Sequence, residues 1–260
     1  MPEDGTADKI RAMASAPDEY EGFFGEHVAS VYDEEAAAMF DPAVVAPVVD
    51  LLAELAGDGR ALELGIGTGR IALPLSARGV PVAGIDDSQS MVARLRAKPG
   101  AEGIEVAVGD FSTIRVDGEF SLVYLVFNTI FNLVTQEAQI ACFENAAAHL
   151  GNGGRFVIET HVPDLQRLPL GQTIIPFRAD PRGVSFDVYD VVTQRFSSQH
   201  FRFTETGVRA TPVELRYAWP AELDLMARIA GLTLEHRFGG WQREPFTALS
   251  RAHVSMYVKR

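Results

Sequence analysis

Between Arg60 and Val162 the chain repeats one rhythm: a short, unbroken apolar run, a turn, then a stretch with helical periodicity. The apolar runs are "RALELG", "VPVAGID", "IEVAVGD", "EFSLVYLVFN" and "GRFVIETHV"; the helical stretches are "RIALPLSARG", "SQSMVARLRAK" and "TQEAQIACFENAAAHL". A strand that is apolar throughout, rather than at alternate residues, has both faces covered, and a helix after each strand lets the next one run parallel. The pattern predicts an α/β domain with a doubly wound, Rossmann-like sheet. Two helical patterns between about Tyr20 and Ala56 precede it. The second, "DPAVVAPVVDLLAELAG", starts where Asp41 can cap and Pro42 suits the first turn, and stops at Gly57. Residues 1–18, small, charged and Pro/Gly-rich, read as a flexible tail.

The rhythm breaks near Leu165. "QTIIPFRA", "GVSFDVYDVV", "QRFSSQHFRFT" and "GVRATPVELRYAW" alternate apolar with polar residues and are joined by "DPRG" and "TETG", the signature of an antiparallel meander of three or four strands. Its aromatics, Phe177, Phe186, Tyr189, Phe196, Phe201 and Phe203, should divide between two faces. A helix, "PAELDLMARIAG", and the runs "LTLEHRFGG" and "AHVSMYVKR" then return to the main sheet, which reaches seven mostly parallel strands. The expected organisation is a main domain over 19–165 and 218–260, carrying an antiparallel lid or substrate-recognition insertion over 166–217 after the fifth strand.

A net charge of −12 opposes a polyanionic partner, so nucleic acid is not expected. The single cysteine, Cys142, sits within a predicted helix and reads as a buried, inert thiol. The acidic start lacks an apolar signal region, and the longest apolar stretch, "SLVYLVFNTIFNLV", is broken by Asn128 and Asn132 and too short to span a bilayer. A cytoplasmic protein without a membrane partner, monomer or homodimer, is the expectation. Scattered histidines and a lone cysteine give no metal-ligand spacing.

Strand, glycine loop and helix, as in "ALELGIGTGRIAL", let backbone N–H groups and a helix start approach a polar ligand. A dinucleotide loop wants G-x-G-x-x-G, whose third glycine allows close helix packing. Here Arg70 takes that place, and the spacing is E-x-G-x-G-x-G from Glu63 to Gly69. Asp86, ending the second strand, stands where an acid accepts hydrogen bonds from ribose hydroxyls, a group that nucleotide-bearing cofactors share. Its neighbour Asp87 reads either as a helix cap together with Ser88 or as a second cofactor contact.

Glu63, Gly65, Gly67 and Gly69 resemble the first motif of the class I S-adenosylmethionine-dependent methyltransferases. The resemblance covers residues 55–165 firmly, and the chain looks like bacterial small-molecule methyltransferases, including sugar-amine N-methyltransferases with an insertion after the fifth strand. It implies S-adenosylmethionine as cofactor, with the loop Gly65, Ile66, Gly67, Thr68 and Gly69 around its amino-acid end. It further implies Asp110 at the adenine amine, with Met91 and Phe111 as apolar contacts. Phe127 and Asn128 fall on the loop below the methyl group, and Tyr20 and Tyr32 resemble N-terminal aromatics that close over the cofactor. For Asn128 a turn-forming role is the other reading. No Asn-Pro-Pro-aromatic run is present, since the chain has "FNTI" there, which disfavours methylation of nucleobases.

A sulfonium methyl is already activated, so the acceptor mainly needs alignment, and a base only where it must lose a proton. His161 in "VIETHVPD", with Glu159 on the same side of the strand, is the leading candidate base; His27, Tyr32, His200, Arg195, Tyr217, Trp219 and Trp241 are weaker candidates. The expected activity is methyl transfer to O, N or C of a small acceptor of specialised metabolism. The alternatives are a non-catalytic cofactor-binding protein of the same fold and an NAD-dependent dehydrogenase, the latter opposed by Arg70 and by the lack of a Tyr-x-x-x-Lys pair.

Overall fold

The computed structural model describes residues 24–260; the expected tail and Tyr20 lie outside them. In chain order come α1 (Glu26–Glu35), α2 (Pro42–Ala56), β1 (Ala61–Leu64), α3 (Ala72–Ala77), β2 (Val82–Asp86), α4 (Gln89–Arg96), β3 (Glu105–Val108) and β4 (Phe120–Leu125). They are followed by α5 (Gln136–His149), β5 (Leu150–His161), β6 (Ile174–Asp180), β7 (Gly183–Asp190), β8 (Arg195–Thr204), β9 (Gly207–Arg216), α6 (Pro220–Ile229), β10 (Leu232–Phe238) and β11 (Ala252–Lys259). The described chain divides into two compact units, 24–162 with 218–260 and 163–217.

The larger unit is built on a seven-stranded sheet in the order β10-β11-β5-β4-β1-β2-β3. β1 to β5 run parallel, while β11 pairs antiparallel with both β5 and β10. The Rossmann-like reading of the sequence holds, because β1, β2 and β4 are buried on both faces and only helical crossovers supply such cover. Leu52 of α2, Leu62 and Leu64 of β1 and Leu122 and Tyr124 of β4 are fully buried, and Phe143 of α5 meets Phe156 and Tyr257 edge-on at 5.1 and 5.7 Å. Cys142 is buried, and burial pushes its thiol up. Strand order reverses beside β1, whose neighbours β2 and β4 carry the chain in opposite directions. Open α/β sheets place ligands at that switch, beyond the carboxyl ends of the strands.

The local chemistry of α2 matches the sequence: Asp41 accepts from Ala43 N at 2.8 Å, Pro42 opens the helix, and Gly57 closes it at φ 55°. Two details differ. The fourth strand stops at Leu125, because Phe127 and Asn128 turn into the left-handed region. The cap of α4 is Ser88 alone, whose Oγ accepts from Met91 N at 3.1 Å, and Asp87 takes no part. No described helix is long and apolar enough to cross a membrane.

The smaller unit is a four-stranded antiparallel meander, β6 to β9 in sequence order. The aromatics alternate between faces as the period of two requires. Tyr189 and Phe196 stack at 5.1 Å, with Tyr217 nearby, and Phe186 stacks on Phe201 at 5.7 Å on the other face. Phe177 and Phe203 are about half exposed.

Candidate functional site

Every loop leaving the carboxyl ends of β1, β2, β3, β4 and β5 carries at least one residue singled out in the sequence. The glycine loop after β1 has three left-handed residues, Gly65, Gly67 and Gly69, at φ 73°, 55° and 83°. Glycine takes these values with no Cβ penalty. Gly65 and Gly69 are also hemmed in, since a Cβ would fall 2.6 Å from Thr129 Cγ2 and 2.3 Å from Leu95 Cδ1, respectively. A Cβ on Gly67 would meet nothing within 4 Å, so the middle of the loop faces open space.

Asp86 ties the loop to the next helix. Its carboxylate accepts from Gly67 N at 2.7 Å and from Ser88 N at 2.9 Å. A carboxylate has about four acceptor sites, so lone pairs remain for further donors. It is 8% exposed, and burial raises its pKa against the pull of those two N–H groups. Glu63 lies deeper: Tyr124 Oη donates to it at 2.9 Å, and burial pushes its carboxyl up to about 8. At neutral pH it is therefore mostly protonated, a neutral brace beneath the loop.

Helix α1 is fastened onto the same loop. Thr68 Oγ1 donates to Asp33 at 2.6 Å, while Lys98 pairs with Asp33 and donates to Thr68 O at 2.8 Å. Ser88 Oγ donates to Phe24 O at 2.6 Å, and Arg94 pairs with Glu26 at 2.7 Å. These bonds bring Tyr32 beside the loop, where burial raises its hydroxyl and the charges of Arg70, Asp86 and Glu63 are felt. Neither Asp33 nor Lys98 stood out in the sequence, since a charge on a helix face is usually solvated.

Beyond β3, Asp110 accepts from Ser112 N at 2.7 Å and opens a turn. It lies close enough to raise the carboxyl of Asp87, second to that group's own desolvation. Phe111 and Met91 are both buried. The turn is held from α5: Asn145 Nδ2 donates to Phe111 O at 2.8 Å and Ile114 O at 2.9 Å, and His149 Nε2 accepts from Val116 N at 3.0 Å. His149 Nδ1 lies 2.8 Å from Asn145 O, which specifies the Nδ1–H tautomer of a neutral ring, and burial lowers its pKa accordingly. The sequence signal for this pair was an Asn and a His four apart on the apolar face of "IACFENAAAHL".

The loop after β4 is built differently. Phe127 and Asn128 are consecutive left-handed residues, φ 58° and 61°, without glycine. Such conformations cost of order 1–3 kcal/mol each and persist where the surroundings over-determine them. β5 supplies the restraint. Glu159 accepts from Phe127 N at 2.8 Å through one carboxylate oxygen and from Trp241 Nε1 at 2.7 Å through the other. Its carbonyl accepts from Asn128 N at 3.2 Å, and Asn128 Oδ1 accepts from His161 N at 2.6 Å. The His161 ring meets Phe131 edge-on at 5.0 Å, and the Arg70 guanidinium stacks 5.0 Å from the centre of the Phe127 ring. The carboxyl-end side of the sheet thus carries Glu63, the glycine loop, Asp86, Asp87, Asp110, Phe111, Phe127, Asn128, Glu159 and His161, with Met91 in the first turn of α4 and Tyr32 of α1 beside the loop.

Residues 61–154 match the family model described as a methyltransferase domain. The chain is 32% identical over 232 residues to the cypemycin N-terminal methyltransferase of Streptomyces sp, covering 85% of this chain and 95% of that one. It belongs to the S-adenosylmethionine-dependent methyltransferases. The structure of the CcbJ methyltransferase from Streptomyces caelestis superposes with a TM-score of 0.82 at 37% identity, over 92% of this chain and 99% of that one. The fold also matches S-adenosylmethionine-bound CalS10, an amino pentose methyltransferase of calicheamicin biosynthesis from Micromonospora echinaspora, with a TM-score of 0.66 at 22% identity over 95% and 100%. The methyltransferase is of natural-product type, and its cofactor is S-adenosylmethionine. Arg70 at the third-glycine place agrees with that cofactor rather than a dinucleotide.

Proposed function

We propose that this methyltransferase moves the methyl group of S-adenosylmethionine to an amine nitrogen of a small natural-product acceptor. The observation that carries the choice of nitrogen is the 32% identity over 232 residues to the Streptomyces relative, which is named for methylation at the N-terminus of cypemycin. A neutral amine needs no strong base to take an activated methyl group. Glu159, at the end of β5, accepts from Phe127 N and Trp241 Nε1 and so holds the loop.

The residues fit the cofactor. The open space at Gly67 admits the amino-acid end, the spare lone pairs of Asp86 suit ribose hydroxyls, and Asp87 and Asp110 lie beside them. Asp86, Asp87 and Asp110 outnumber the cations Arg70 and Lys98 beside the loop, the latter already paired with Asp33, which favours a ligand with net positive charge. Met91 and Phe111 would flank the adenine, and Tyr32 and Phe127 would cover the cofactor. When bound, the cofactor supplies an activated sulfonium methyl. The chain's share is to hold Phe127 and Asn128 in place, exclude water and, at His161, take the proton the amine releases. The unit of residues 163–217 acts in acceptor recognition.

The test is mass spectrometry after incubation with S-adenosylmethionine and panels of amino sugars, peptides with free N-termini and hydroxyl-only analogues. A gain of one methyl on amines is expected; transfer to the hydroxyl-only panel overturns the nitrogen reading. For His161, a pH–rate profile of His161→Ala that matched the unsubstituted enzyme removes it from proton transfer.

A further inference from the structure

The loop joining β10 to β11, residues 239–251, is one of the longer irregular segments of the larger unit, and no motif marked it. It is nevertheless well tied. An isolated bridge joins Phe238 to Pro245, Gly239 N donates to Glu244 O at 2.7 Å, and Arg243 pairs with Glu54 of α2. From it the Trp241 ring packs against the apolar core, and its N–H reaches Glu159 at 2.7 Å. The other oxygen of Glu159 holds Phe127 N, the first of the two left-handed residues after β4.

We infer that Glu159 and Trp241 form a positioning pair, in which Trp241 orients the Glu159 carboxylate so that it fixes the Phe127–Asn128 backbone for methyl transfer. The inference rests on the methyltransferase reading for its purpose, but not for its geometry. A carboxylate with one donor can swing about its last torsion; with two donors set on opposite oxygens it has a single orientation. The β10–β11 loop therefore sets the shape of a loop more than a hundred residues earlier in the chain. Neither residue is a catalytic residue in this role, since each acts through the backbone of Phe127.

Hydrogen exchange of the full chain, read by mass spectrometry on peptides spanning residues 124–132, tests the pair. Trp241→Phe keeps the packed ring and deletes only the N–H; exchange should rise about fivefold in that segment, the weight of one hydrogen bond. Glu159→Gln sets an amide donor against one of two donors, and the rise should reach about thirtyfold, because a half-buried donor is left facing another. Combining the two substitutions is the decisive arm. With the indole N–H gone, the new amide can turn its carbonyl to Phe127 N, so exchange should fall back to about the Trp241→Phe level. Loss of packing alone gives no such rescue. Unchanged exchange in Trp241→Phe, additive effects in the double variant, or a rise spread evenly over all strands each overturns the pair. Calorimetry with S-adenosylhomocysteine on the same samples separates the two ideas. Failure of the unsubstituted protein to bind it sinks the cofactor reading and leaves the exchange result standing.

Discussion

Two loops at the same edge of the sheet adopt left-handed backbone by opposite means. After β1, glycines at 65, 67 and 69 carry the positive φ values, which cost glycine no Cβ strain. After β4, Phe127 and Asn128 take similar values, and bonds from Glu159, Asn128 Oδ1 and Trp241 hold them there. A glycine loop leaves room for a ligand to approach the main chain. A loop of side-chain-bearing residues keeps those side chains at the edge of the sheet and transfers the conformational burden to neighbours remote in sequence. The first design is written in three positions; the second is spread over three elements, the loop after β4, β5 and the β10–β11 loop.

The largest effect expected on the glycine side comes from the brace beneath it. Glu63 titrates at about 8 in the fold against 4.5 for an ordinary glutamate, so the folded chain keeps a proton that the unfolded chain releases between those values. Stability must then fall as pH rises through that window, and Glu63→Gln, which cannot ionise, should be more stable than the parent by roughly 3–5 kcal/mol at pH near 9 and equal to it below about 4.5. Thermal melts across pH measure this, and parallel curves for the two proteins would refute it. Next, Gly65→Ala should destabilise by about 3 kcal/mol, combining left-handed strain with the clash against Thr129; a urea midpoint close to the parent's would show that the loop relaxes freely.

Asp86→Ala should weaken S-adenosylhomocysteine by about 1–3 kcal/mol in calorimetry, through lost acceptors and a loosened Gly67. Unchanged affinity removes Asp86 from the ribose. The smallest effect sharpens the contrast most. Asn128→Gly deletes the bond to His161 N but keeps the backbone comfortable, while Asn128→Ala deletes the bond and adds left-handed strain. The alanine variant should be less stable than the glycine variant by about 1 kcal/mol. Equal stabilities would mean that the strain is shed locally, and that the second loop carries as little conformational burden as the first.

The same division explains what could be read in advance. The glycine loop, Asp86 and Asp110 were legible because each is defined by a residue type at the end of a strand. The strand boundary at Leu125 was misread, because "VF" continues the apolar run and the one local turn signal, Asn128, comes three residues after the strand has ended. Ser88, not Asp87, caps α4, since both are good capping residues and only the position of the first helical turn decides between them. Glu159 and Trp241 are 82 residues apart, Lys98 and Thr68 are 30 apart, and Asn145 reaches Phe111 across 34. No spacing rule links such partners.

By itself the sequence determined the sheet, the helical crossovers and the glycine loop, because those follow from local periodicity and from the steric freedom of glycine. Which carboxylate is protonated, which is tied to two donors, and what holds Phe127 and Asn128 were decided by tertiary structure alone. Burial and hydrogen-bond partnership depend on what the rest of the chain brings alongside, and that is set only when the strands are in register.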